Sequence, residues 1–172
     1  MEFYLAQGIS VLTCIVAVGM MQFKDMKKIL AGQILANLLT ASTYLLLGGL
    51  SGAGICLLAI VQSVAMFLYN LKMIPPPKPL IALFIALYVA CSALYFRSAA
   101  DLLSSLAAVC YAFSVVQTKP SRSRLWYLFN PLFWLIYDLF TRAYGNFLLH
   151  VVVFFSTLFA IFRNDLSRKK IN

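Results

Sequence analysis

Most of the charge in this chain falls in short clusters, and long apolar runs separate them. The main clusters are Lys24 to Lys28, Lys72 to Lys78, Lys119 to Arg124 and Arg163 to Lys170. A helix needs roughly 20 mostly apolar residues to cross the hydrocarbon core of a bilayer. With 172 residues, 63% of them apolar, and a mean hydropathy of +0.90, the chain has room for about seven such helices and short loops. A soluble domain of this length could not bury so much apolar surface. The runs lack strand-type alternation, which excludes an outer-membrane barrel. The expected fold is an all-α integral membrane protein, a single membrane domain over residues 1–172.

Seven transmembrane helices are predicted, at 4–22, 30–48, 52–71, 79–96, 99–117, 126–142 and 146–163. Their ends have local causes. The Lys24 to Lys28 cluster ends the first. Gly48-Gly49 and Gly52 are expected to turn the chain after the second, because glycine supplies the left-handed conformation of a helix C-cap. Pro75-Pro76-Pro77 and Pro79 follow the third, since consecutive prolines cannot stay helical. Lys119-Pro120-Ser121-Arg122 separates the fifth from the sixth, and Gly145-Asn146 turns the sixth into the seventh. Residues 3–22 are expected to be a retained span rather than a cleaved signal. Glu2 stands where a signal carries positive charge, and no small-x-small site precedes Lys24.

A net charge of +9 could suggest nucleic acid. Its placement argues for topology and anionic lipid headgroups instead. With the N-terminus outside, twelve of the 14 Lys and Arg fall in cytoplasmic segments, and only Arg97 and Arg142 lie outside. That bias predicts an N-out, C-in chain.

Asn37, Tyr44 and Gly52 recur 93 residues later as Asn130, Tyr137 and Gly145, with no gap between the copies. Adding 93 to the first three spans lands on the last three and leaves 79–96 over. Three helices form an odd unit, so a second copy placed directly after the first would be inverted. One extra crossing restores the direction. The expected arrangement is a 3+1+3 parallel repeat of triple-helix bundles. Repeat one covers 3–71, a linker helix 78–96, and repeat two 97–164, related by an axis along the membrane normal.

In this architecture the chain resembles the SWEET/PQ-loop (MtN3-like) transporter superfamily. Segments 33–54 and 125–150 more specifically resemble the YgjV-type bacterial inner-membrane proteins, a likeness that extends over the whole chain. The Pro-Gln dipeptide of the PQ-loop is absent; its nearest equivalent is Asn130-Pro131, against Asn37-Leu38 in the first copy. The resemblance implies two triple-helix bundles flanking a central route in a bacterial inner membrane. It brings no substrate with it.

Asn37 and Asn130 are the first candidates for a substrate site, because buried amides in hydrocarbon must face protein or water. They would hydrogen-bond a polar solute between the bundles. The structural alternative is that each joins helices within its own bundle. Tyr44 and Tyr137 lie two turns further along and share a face with their asparagines. They are substrate-binding candidates, or members of an aromatic belt at the outer interface. Trp134, one turn from Asn130, is a candidate wall of the site, and packing against lipid is its alternative. Gln62 is a candidate pore-lining residue, with Gln33 and Ser63 as further polar residues in spans. Trp126 reads as an interfacial anchor.

Pro131 interrupts the hydrogen bonding of its span and is a candidate hinge, or static packing. Asp138, Arg142 and His150 gather at the outer mouth as a candidate outer gate, with Asp101 and Arg97 at the same rim. An ordinary Asp138–Arg142 ion pair one turn apart is the structural alternative. Ala82, Ala86 and Ala90 form a small-residue ridge expected to pack the linker helix closely on a neighbour.

Enzyme motifs are missing, so no catalytic residue is assigned. Four scattered cysteines (Cys14, Cys56, Cys91, Cys110) and the single His150 offer no metal-ligand spacing. No cofactor, metal or nucleic acid is expected. The expected partners are the lipid bilayer and a small polar solute, and homo-oligomers are compatible with this. Two readings follow: a secondary transporter or facilitator that rocks two bundles around a central site, or a non-transporting protein that stabilises or regulates a membrane complex. A solid interior would mark the second.

Overall fold

The structure, a computed structural model, describes residues 2–46, 50–94, 101–141 and 144–166, apart from the side chains of residues 2, 50, 51, 101, 138, 141, 144, 145 and 166. These residues form seven α-helices. They are α1 (Glu2–Gln22), α2 (Met26–Leu46), α3 (Leu50–Leu71), α4 (Lys78–Leu94), α5 (Asp101–Val115), α6 (Pro120–Thr141) and α7 (Tyr144–Ile161). A π-helical turn, Phe162–Leu166, extends α7. No strand occurs among the described residues.

Four stretches are long and apolar enough to cross a membrane: Phe3–Gln22, Met26–Leu46, Gly52–Leu71 and Asn146–Asp165. At most 39% of any of these is buried inside the protein. Their outward faces are apolar, with Val11, Ile15, Leu57, Leu148, Phe155 and Phe159 each more than half exposed. Lipid is the medium that such a surface fits. The helices α4 and α5 are apolar but shorter.

The connections follow from residue chemistry. Asp25 caps α2, its carboxylate accepting the Lys27 backbone N–H at 3.0 Å, as a helix N-terminus requires. Beyond α3 the chain reverses through Met73, whose φ of 57° lies in the left-handed region, while Ile74 N–H returns to the Tyr69 carbonyl. Three prolines then keep the chain extended up to α4.

Several boundaries differ from expectation. Pro120 begins α6 rather than ending the segment before it, because its missing N–H and fixed φ suit the first helical position. The cluster expected to lie in a loop, Ser121 to Arg124, is therefore helical. Gly52 sits in the first turn of α3, and Gly145 with Asn146 in that of α7, rather than in turns between helices. Gly48 and Gly49 lie outside the described residues.

Helix α2 packs on α1 and α3, and α6 on α5 and α7. Between these groups, α1 runs against α7 and α3 reaches α5, while α4 rests on α3 and α5. Helices α1 and α2 pack tightly at Gly32, where an added Cβ would stand 2.5 Å from Met20 Cβ. Gly52 serves a different purpose. Its bare Cα lets the Tyr44 ring lie over it, and a Cβ there would meet ring atoms at 2.8 Å. The recurring Tyr and Gly of the first copy are thus packed on one another.

The ridge of Ala82, Ala86 and Ala90 does not pack inward. All three are exposed, and α4 buries Phe84, Tyr88 and Ser92 instead. Both stripes have a four-residue spacing. The aromatic stripe removes more apolar area from its surroundings and faces the core.

Candidate functional site

All seven helices contribute to one central cavity of about 90 Å³. Thr13, Ala17 and Met20 come from α1, and Gln33, Asn37, Thr40 and Tyr44 from α2. Across from them stand Tyr111 of α5, Asn130 and Trp134 of α6, and His150 of α7. Tyr88 closes the wall from α4 and Cys56 from α3. A smaller recess of about 30 Å³ adjoins it, sharing Thr13, Thr40, Tyr44 and His150 and adding Ser10, Thr43 and Asn146.

Asn37 is held by two donated bonds. Its Nδ2 gives one to the Gln33 carbonyl at 2.8 Å and one to Tyr111 Oη at 2.7 Å. Tyr111 Oη lies 2.6 Å from Ser63 Oγ, which itself donates to the Ala59 carbonyl at 2.7 Å. A serine hydroxyl has one hydrogen, so Tyr111 is the donor to Ser63. The chain runs one way, from Asn37 through Tyr111 and Ser63 to a carbonyl, and it ties α2, α5 and α3 together.

Asn130, buried on α6, donates from Nδ2 to the Ala107 carbonyl of α5 at 2.9 Å. With both amide hydrogens used, Asn37 keeps only its oxygen for an occupant. Asn130 keeps its oxygen and one N–H. Pro131, fully buried beside it, cannot donate to the Tyr127 carbonyl four residues back. The helix leaves that carbonyl unpaired by its own backbone, and Tyr127 lines the cavity.

Gln33 is the most unusual residue here. It is fully buried, lines the cavity, and neither its Nε2 nor its Oε1 has a partner among the described residues. Tyr88, a lining residue on α4 and 1% exposed, has an unpartnered hydroxyl as well. Each such group costs about 1–3 kcal/mol when left unmet, so these three atoms set this cavity wall apart from ordinary packing.

Of the residues predicted from sequence, Asn37, Asn130, Tyr44, Trp134 and His150 share this cavity. Trp134 stacks on His150 with centroids 6.0 Å apart and rings within 9° of parallel. Tyr137 is not among the lining residues; it meets Trp134 edge-on at 5.3 Å. Gln62 also lies outside the lining, buried between α3 and α5 with Nε2 donating to the Ala112 carbonyl at 3.4 Å. Of the outer-gate set, the Asp138 side chain and Arg142 lie outside the described residues, as do Arg97 and the Asp101 side chain. Trp126 stacks on Phe113 at 4.9 Å near the start of α6.

Where α1 and α7 finish and α6 begins, a buried cation clasps the helices beside an open pocket lined by Lys24, Lys119, Arg122, Arg124 and Asp165. Arg124, 1% exposed, donates to the Met21 carbonyl at 2.8 Å, the Phe23 carbonyl at 2.5 Å and Asp165 Oδ1 at 2.7 Å. A guanidinium on the last carbonyls of α1 meets the negative end of that helix. Beneath it, Gln22 Nε2 donates to Ser156 O and Oγ, both at 3.0 Å. Asn164 Nδ2 reaches the Gln22 carbonyl at 3.4 Å.

A profile of the Imp-YgjV family, described as bacterial inner membrane proteins, matches residues 4–168. The chain belongs to this family. It is a bacterial inner membrane protein, in keeping with its apolar helices. Neither a curated protein nor a solved structure matches it.

Sequence reasoning assigned a site role to Tyr44 but to none of the other three tyrosines of the cavity. Tyr88, Tyr111 and Tyr127 all line it, yet tyrosine in a span reads equally well as packing. Gln33 was legible as a polar residue in a span. Its lack of partners is a property of the packed bundle alone.

Proposed function

We propose that the protein is a secondary transporter or facilitator of a small polar solute, bound at the central cavity and released by rocking of two triple-helix bundles. The observation that carries this reading is a cavity lined by all seven helices, with both repeated asparagines in its wall. A protein that only braced a complex would gain nothing from a void with unmet polar groups.

The pattern of helix neighbours supports the 3+1+3 arrangement. A shift of one repeat turns the α1–α2 contact into α5–α6, α2–α3 into α6–α7, and α1–α7 into α5–α3, all of which occur. Helix α4 is the odd member. On the N-out orientation favoured by the charge bias, the Arg124 clasp closes the cytoplasmic side, and the recess at Ser10, Thr43 and Asn146 leads outward. Transport then requires the Arg124 contacts to break while the outer recess closes. Only a difference in solute affinity between the two states drives such a cycle.

The test is uptake into proteoliposomes across a panel of metabolites. Wild type is expected to carry at least one solute, and Asn37→Leu and Asn130→Leu to lose it. Variants that keep every measurable flux would refute this site.

A further inference from the structure

The chemistry of the cavity wall narrows its occupant. Among the described residues, no Asp, Glu, Lys or Arg lines the cavity. An ion drawn into a space walled by helices and lipid loses its hydration and needs an opposite charge or a ring of oxygen dipoles to replace it. The described wall has no carboxylate, ammonium or guanidinium, and its one imidazole, His150, is stacked on Trp134. The groups without partners come as a donor, an acceptor and a hydroxyl that can act as either: Gln33 Nε2, Gln33 Oε1 and Tyr88 Oη. Size is the third constraint. An apolar cavity of about 150 Å³ accepts benzene. One of about 90 Å³ therefore suits a molecule of roughly four non-hydrogen atoms.

We infer that the occupant is a small neutral molecule that both donates and accepts hydrogen bonds, of the size of urea, acetamide or ethanediol, with the Gln33 amide as its principal partner. The inference rests on the carrier reading above and specifies the substrate class of the same site. A primary amide facing an amide or urea satisfies a donor and an acceptor at once. The Tyr88 hydroxyl meets the far side of the solute, and Asn130, with an oxygen and an N–H to spare, a third. A sugar is too large for this space and a bare ion too costly to dehydrate.

The discriminating pairs keep size constant and change one property. Guanidinium is urea with a charge, and acetone is acetamide without a donor. Glucose tests size. The experiment is stopped-flow light scattering of proteoliposomes against protein-free vesicles, one solute at a time. The expected result is faster equilibration of urea, acetamide and ethanediol, no gain for guanidinium or glucose, and little for acetone.

Gln33→Leu is expected to abolish the gain while the purified protein stays monodisperse and melts no lower than wild type, because the substitution removes two unmet polar atoms. Tyr88→Phe, which removes one oxygen and no volume, is expected to slow the same solutes several-fold. Flux of guanidinium or glucose without flux of the neutral amides would overturn the substrate class and leave the carrier reading standing. Flux of the amides that survives Gln33→Leu and Tyr88→Phe overturns the role given to these residues. No flux of any solute overturns both the class and the carrier.

Discussion

Arg124 near the start of α6 and Gln33 at the central cavity are both buried polar side chains, with 1% and 0% of their surface exposed. Their surroundings are opposite. Arg124 spends its donors on two carbonyls at the end of α1 and on a carboxylate beyond α7. Gln33 has no partner on either amide atom among the described residues. The clasp end also holds unmet atoms, since Gln22 Oε1, Asn164 Oδ1 and Asp165 Oδ2 lack partners among the described residues, but its cation is paired and both amide atoms of Gln33 are not. A buried amide with neither atom partnered calls for an explanation, and the carrier reading offers one.

Four substitutions sharpen or break that contrast. Arg124→Met should be the most damaging. It strands Asp165 and two carbonyls, and breaking a buried pair costs about 3–5 kcal/mol. Thermal melting in detergent should show a drop of well over 5 °C, and melting within a degree or two of wild type would mean the clasp is idle. Gly32→Ala should destabilise by about 1–3 kcal/mol, because its Cβ meets Met20 and α1 must move away. Unchanged melting would show that the α1–α2 seam has slack.

Tyr111→Phe comes next. It removes the middle of the Asn37–Tyr111–Ser63 chain and should cost about 1–2 kcal/mol. If the middle of the bundle tolerates unmet polarity at Asn37 as it does at Gln33, no loss will be seen. Met73→Gly should act least and in the opposite direction. It relieves a left-handed non-glycine residue outside both regions, for a gain of up to about 1 kcal/mol. A loss there would point to a contact made by the methionine side chain.

The helices were legible in the sequence because apolar length is a property of the chain itself. So were Asn37 and Asn130, since an amide in a hydrophobic segment must be accounted for wherever it points. Arg124 was not. A cation near the end of a span reads as a solvated topology signal, and the carbonyls that bury it belong to residues about a hundred positions earlier. The Ala82, Ala86 and Ala90 stripe misled for a related reason. The stripe of Phe84, Tyr88 and Ser92 has the same period two residues out of step, and only the shape of α3 and α5 decides which one turns inward. The partnerless state of Gln33 is further still from the sequence, because it depends on what every neighbouring helix fails to offer.

On the proposed 3+1+3 arrangement, Tyr88 sits on the one helix that has no counterpart in the other half. Whatever twofold likeness relates the asparagines, this hydroxyl stands on one flank of the chamber only. A guest therefore meets a left wall and a right wall that are not images of one another, and a chiral guest has one hand that fits them better. The two enantiomers of propane-1,2-diol should enter such a chamber at different rates, and Tyr88→Phe should narrow the gap between them.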